Sequence, residues 1–436
     1  MKALTSIILI SLFGCTLYAQ EVVFEEFDLD NGLHVILHQD KTAPLVVTSV
    51  LYHVGAKDEQ DDRTGFAHFF EHLLFEGTQN IERGEWFTIV TANGGRNNAY
   101  TTDDFTYYYE VFPSNNLELG LWLESERMLH PVINEIGVET QNEVVKEEKR
   151  LRYDNSPYGR WNEEVRKNIF NEHPYQRTAI GEMEHLDAAT LEEFKAFNKK
   201  FYVPNNAVLV VAGDFEMENA KKLVRAYFDE IPRGAEITRK KIKEAPIQEA
   251  LTAEAFDANI QVPALFTAYR IPERTSRESK VLDMISSYLS DGNSSKLYRK
   301  LVDEKKISLQ VAAFNMSLED YGMYIILSLP LGDNDLTTLR DEIDVEIEKI
   351  QTELISQRDY EKLLNTFESN FVDSNGSVEG IANSLAEYYT FFGDTNLINS
   401  EIEVYRSISR EEIREVAQKY LNPNQRLTLN YLPESK

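Results

Sequence analysis

Residues 197–215 read FNKKFYVPNNAVLVVAGDF, and residues 416–434 read VAQKYLNPNQRLTLNYLPE. Each runs from the end of a helical pattern, through an aromatic residue and a Pro-Asn pair, into a strand-like run. Pro204 and Pro423 are separated by half the length of the chain, which has 436 residues. A repeat at that distance predicts two similar halves of roughly 200 residues, not a short-period solenoid. Each motif closes its half with a helix and a strand. Between them, PRGAEITRKKIKEAP (232–246) is charged and bounded by proline at both ends, as a linker would be. The division expected is a first domain over 20–231, a linker over 232–250 and a second domain over 251–436.

Working outward, strand and helix patterns mix in both halves. VVFEEFDLDNGLHVILHQD carries Asn31-Gly32 between two strand-like runs, a hairpin signal. LVVTSVLYHVG (45–55) is β-rich, and helical patterns follow near 64–76, 115–130, 137–152 and 187–200. In the second half SKVLDMISSYLS and SSKLYRKLVDEK read as helices and GMYIILSLPL as a strand. The fold class expected is α+β, with each half a mostly antiparallel sheet packed with helices.

The formal net charge is −28. That argues against a nucleic-acid partner, because phosphate binding needs basic surface. It would draw cationic ligands at long range, with plain solubility as the alternative. The N-terminus, MKALTSIILISLFGCTLYAQE, has a basic residue, an apolar run from Ala3 to Gly14 and a small residue, Ala19, suited to cleavage. It predicts a signal peptide over 1–19 and an exported, periplasmic protein if the source is a bacterium. Cys15, the only cysteine, follows SLFG, and its lipidation is the alternative. No other stretch is long and apolar enough to span a bilayer.

Two of the eight histidines sit in GFAHFFEHLLFEGT, residues 65–78. On a helix, Phe66, Phe69, Phe70 and Leu73 fall on one side, within about 100° of one another. Glu71, His68 and His72 fall together on the opposite side. Histidines at i and i+4 can grip one metal ion, and H-x-x-E-H is a known zinc motif. The alternative is a solvated polar face. A third ligand is needed, with one position left open for water. The helix ETQNEVVKEEKRLRYDN offers Glu143, Glu147 and Glu148. On its wheel Val144, Val145 and Leu151 form an apolar face, and Glu148 falls within that face. Glu143 and Glu147 fall towards solvent. A carboxylate aimed inward needs a partner, and a metal ion or a buried Arg or Lys would serve.

These residues resemble the pitrilysin/insulinase family of zinc peptidases, most closely its short bacterial members related to the catalytic subunit of mitochondrial processing peptidase. LDNGLHVIL is similar to the family's opening hairpin, GFAHFFEHLLFEGT to its metal helix, and NGGRNNAYTTDDFTYYYEVFP, HPYQRTAIGEMEHL and DGNSSKLYRKLVDEKKISLQVAA to later segments. The resemblance implies that His68, His72 and Glu148 bind one zinc ion per chain and that Glu71 is the general base. Asn98 and Ala99 match an edge strand that pairs with substrate backbone. The activity implied is an endopeptidase for peptides or unfolded polypeptides, enclosed in a clam-shaped chamber. Two positions depart from the pattern. Gln141 stands where many relatives carry a supporting glutamate. Val302 and Leu309 stand where an Arg and a Tyr contact substrate, although Arg299 is close by. The resemblance therefore implies a second family subunit, in a hetero- or homodimer, that supplies the pair. The alternative function is a non-catalytic structural or peptide-binding subunit, although such relatives have usually lost metal residues that this chain keeps.

Overall fold

The computed structural model describes residues 21–434, so residues 1–19 and Cys15 lie outside the described residues. The first sheet contains β1 (Glu25–Asp28), β2 (His34–Gln39), β3 (Leu45–Tyr52), β4 (Arg96–Thr101), β5 (Thr106–Pro113) and β6 (Ala207–Gly213), in the order β1-β2-β6-β3-β5-β4. The second contains β7 (Leu251–Asp257), β8 (Ala264–Ile271), β9 (Ser308–Ser317), β10 (Gly322–Pro330) and β11 (Arg426–Pro433), in the order β7-β11-β8-β10-β9. Strand for strand, the second order is the first without β1. Neighbours are antiparallel except β2 with β6 and β7 with β11. The fold is therefore α+β with two similar, mostly antiparallel sheets.

The Pro-Asn repeat explains the two parallel pairs. Pro204–Asn206 and Pro423–Gln425 are single 3-10 turns that launch β6 and β11 directly. Proline is suited to the first position of such a turn because its φ is already set and its missing N–H is not needed there. Both strands enter the interior of their sheets. Every residue of β6 is buried, which suits its unbroken apolar run AVLVVAG, since a strand covered on both faces has no polar side.

The layers that cover the sheets cross between the halves. The candidate metal helix (Phe66–Leu73) and the helix Leu117–Leu129 pack on one face of the first sheet, with the large core beneath them. Its other face is covered by a helix of the second half, Val378–Glu387, whose Ile381, Ala382, Leu385 and Ala386 pack on Ile36, Val47, Leu51 and Val210. The second sheet receives the reverse. Val165 and Ile169, on the first-half helix Trp161–Ile169, pack on Phe266, Met323, Ile325 and Leu429. Trp161 stacks flat on Phe266, with centroids 5.3 Å apart.

The tip of the β9–β10 hairpin adds a polar anchor. Glu319 N donates to Asp104 Oδ2 at 2.9 Å, and Asp320 N donates to Tyr175 Oη at 3.2 Å. The Glu319 carboxylate accepts from His53 Nε2 at 2.7 Å and from Lys57 Nζ, whose side chain is only 6% exposed. Lys57 also pairs with Asp104 at 3.1 Å. Among the described residues, no helix is long and apolar enough to cross a membrane.

Candidate metal centre

The metal helix begins at Gly65, where φ is +88°. Glycine is required there for a second reason, because Gly65 and Gly181 meet back to back. A Cβ on Gly65 would lie 2.9 Å from Ile180 O, and one on Gly181 would lie 2.3 Å from Gly65 N. The Glu59 side-chain oxygens accept from Gly65 N and Ala67 N, each at 2.8 Å, and so satisfy two N–H groups at the open end of the helix. Phe66, Phe69, Phe70 and Leu73 are buried, as their spacing predicts. Phe66 stacks on Phe194 with centroids 4.6 Å apart, and Phe70 stacks on Phe197. This packing fixes the rotation of the helix and turns His68, Glu71 and His72 towards the distal helix, Glu135–Lys149.

A buried ion cluster holds the other end. Arg127 Nη1 donates to Leu74 O at 3.3 Å, while its remaining nitrogens reach Glu110 at 2.8 Å and Glu124 at 3.1 Å. Phe75, Trp86 and Tyr108 present ring faces to the guanidinium at 4.2–4.5 Å. Burial, with Glu124 beside it, pushes the Glu110 carboxyl well above the usual carboxylate range, against the pull of Arg127.

The distal helix corrects the wheel expectation. Val145 is fully buried, but Val144 is 43% and Leu151 62% exposed. Val145 alone among the three faces the protein body, and Glu148, one turn further on, shares its side of the helix and faces the two histidines. Glu148 Oε2 lies 3.2 Å from His72 Nε2 and 3.6 Å from His68 Nε2. All three ligand atoms lie within 4.8 Å of one another. Tetrahedral zinc with ligand bonds of about 2.0–2.1 Å places ligand atoms roughly 3.3 Å apart. The two-nitrogen, one-oxygen set fits such an ion at this spacing.

The electrostatics suit a cation. Burial, then the neighbouring His72, lowers His68 to about 4, so the imidazole is neutral at pH 7. The contact with His72 holds Glu148 below the usual carboxylate range. Neutral imidazole and ionised carboxylate are the forms that ligate metal. Burial raises Glu71, against a hydrogen bond that Thr101 Oγ1 donates to its Oε2 at 2.7 Å.

Asn98 and Ala99 lie on β4, the outer strand of the first sheet, with Asn98 exposed and Ala99 buried. Thr101 ends the same strand, so the edge runs up to the Glu71 carboxylate. Gln141 Nε2 donates to Glu76 Oε1 at 2.5 Å. Val302 sits in the π-helical turn Tyr298–Glu304, and Leu309 is exposed on β9, the outer strand of the second sheet. The sequence assigns no role to Thr101 or to Arg152, which pairs with Glu148 Oε1 at 2.8 Å. Arg152 stands four residues after Glu148 on the same helical run, a spacing that signals a side-chain pair. Nothing in the sequence signals the contact of Thr101 with Glu71.

Residues 34–182 match the family model described as "Insulinase (Peptidase family M16)", and residues 188–367 match "Peptidase M16 inactive domain". The chain is similar to "Zinc protease PqqE" of Helicobacter pylori, at 29% identity, over 99% of this chain and 98% of that one. The crystal structure of a protease from Helicobacter pylori superposes with a TM-score of 0.89 at 28% identity, covering 94% of this chain and 99% of that one. The periplasmic protease PqqL from Escherichia coli shares the fold at a TM-score of 0.77 and 19% identity. There the match covers 95% of this chain but 48% of that one.

Proposed function

The chain belongs to the insulinase family, peptidase family M16, and from that premise we propose that it is a zinc-dependent endopeptidase acting on peptides or unfolded polypeptides. The observation that carries this reading is the convergence of His68, His72 and Glu148 with Glu71 alongside. Those three residues would hold one zinc ion, which when bound lowers the pKa of a coordinated water and polarises the scissile carbonyl. The remaining work falls to the chain. Glu71 is the general base. Thr101 holds its Oε2, and its Oε1 takes the proton of the attacking water and returns it to the leaving amine nitrogen. Burial brings the Glu71 carboxyl closer to working pH, where uptake and return of a proton are both accessible. Substrate backbone adds to β4 at Asn98 and Ala99, which gives affinity through main-chain bonds with little sequence preference.

Val302 and Leu309 stand at the two second-half positions where the family resemblance places the Arg and the Tyr. The complete enzyme is therefore a dimer, in which a second family subunit supplies that pair and closes a clam-shaped chamber. This is supported by the length of PqqL, of which the chain matches about half. We take the protein to be exported to the periplasm on the strength of residues 2–19, and we divide it at 232–250, a stretch without helix or strand. A non-catalytic subunit is the second reading, favoured by the match to an "inactive domain" description. That match lies in 188–367, away from the metal set.

The test is zinc content and peptide cleavage by the full mature chain and by Glu71→Gln, each alone and with a second family subunit. Glu71→Gln should retain zinc and lose about 10²–10⁴-fold in kcat. Equal cleavage by the two proteins, or no zinc in either, would overturn the reading.

A further inference from the structure

We propose that Arg152 is a positioning residue that keeps Glu148 a one-oxygen metal ligand; this rests on the zinc-peptidase reading above. The two oxygens of Glu148 face different partners. Oε2 points at the Nε2 atoms of His68 and His72, whereas Oε1 is paired with Arg152 Nη1 at 2.8 Å. Carboxylates bind metals through one oxygen or both. With both bound beside the water, the ion would already be five-coordinate, and the position that the scissile carbonyl needs would be filled. A guanidinium on Oε1 ties that oxygen away from the metal.

The local backbone is built to present Arg152. The distal helix widens after Lys149 into a π-helical turn, Arg150–Asp154. Such turns are frequent at functional sites. This one is pinned on both sides. Lys149 Nζ donates to Gly181 O at 2.8 Å, and Tyr153 packs against the first-half core. Arg152 is itself 74% exposed, so the contact contributes little to folding. It does not serve metal affinity either, because a fixed cation beside a cation site weakens binding. Control of how Glu148 coordinates is the role left to it.

Cobalt(II) in place of zinc reports the coordination number, because four-coordinate cobalt absorbs visible light far more strongly than five-coordinate cobalt. The experiment compares the full mature chain with Arg152→Ala and Arg152→Lys, and measures kcat and KM on the active assembly. The wild type should give the intense four-coordinate spectrum. Arg152→Ala should give the weak five-coordinate one, with kcat reduced about 10–100-fold and KM within about twofold. Arg152→Lys, which keeps a cationic donor, should restore the spectrum and most of kcat. An Arg152→Ala protein unchanged in either spectrum or kcat overturns the proposal. A wild type that binds no metal overturns both this and the zinc-peptidase reading. A wild type that binds four-coordinate cobalt but cleaves nothing removes only the peptidase reading, and the spectra then decide the role of Arg152.

Discussion

Glu319→Gln separates the contribution of one charge at the junction of the halves from that of packing. The Glu319 carboxyl is buried, which would raise it, but the hydrogen bond from His53 and the charge of Lys57 outweigh burial and hold it at about 2 instead of 4.5. A shift of that size corresponds to roughly 3 kcal/mol of stability at pH 7, at about 1.4 kcal/mol for each tenfold change in proton affinity. The sign follows from the depressed value. The stabilisation is fully present above about 4.5, the value in the unfolded chain, and is lost as pH falls through about 2. Glutamine keeps the shape and one acceptor but not the charge, and Lys57 keeps Asp104 as a partner, so no cation is stranded. Urea unfolding followed by circular dichroism should therefore place the variant about 3 kcal/mol below the wild type at pH 7 and about 1 kcal/mol below it at pH 3. A gap that stays the same at both pH values would assign the loss to packing. A gap under about 0.5 kcal/mol at pH 7 would mean that the anchor is worth no more than a surface pair.

Leu385→Ala should cost about 2–5 kcal/mol, because this fully buried residue of a second-half helix fills the core under the first sheet. Thermal unfolding measures it, and a neutral result would mean that the crossed helix is not what closes that face. Thr101→Val removes the one hydroxyl that lowers Glu71, so the Glu71 carboxyl moves further up. The base is the ionised form, so the acid limb of the kcat/KM profile should move to higher pH, and a shift to lower pH would refute the role given to that hydrogen bond.

Much of this protein is carried by local pattern. The spacing of Phe66, Phe69, Phe70 and Leu73 alone separates the anchoring face of the metal helix from the face with His68, Glu71 and His72, because a helix maps sequence interval onto direction. The two Pro-Asn turns mark where β6 and β11 start, and so the two-half architecture, because proline sets φ without help from the rest of the fold. Other features have no local cause. LVVTSVLY in β3 is apolar on both faces, which requires a layer on each side but does not say that the second layer comes from residues 378–387. Val144 and Leu151 read as core on a helical wheel and lie at the surface, because a wheel gives the angle between residues and not which angle meets the body of the protein. Only tertiary packing brings Glu148 to the histidines and Thr101 to Glu71. Each of those contacts joins elements far apart in the chain, and their meeting is decided by the depth and direction in which two separate surfaces pack.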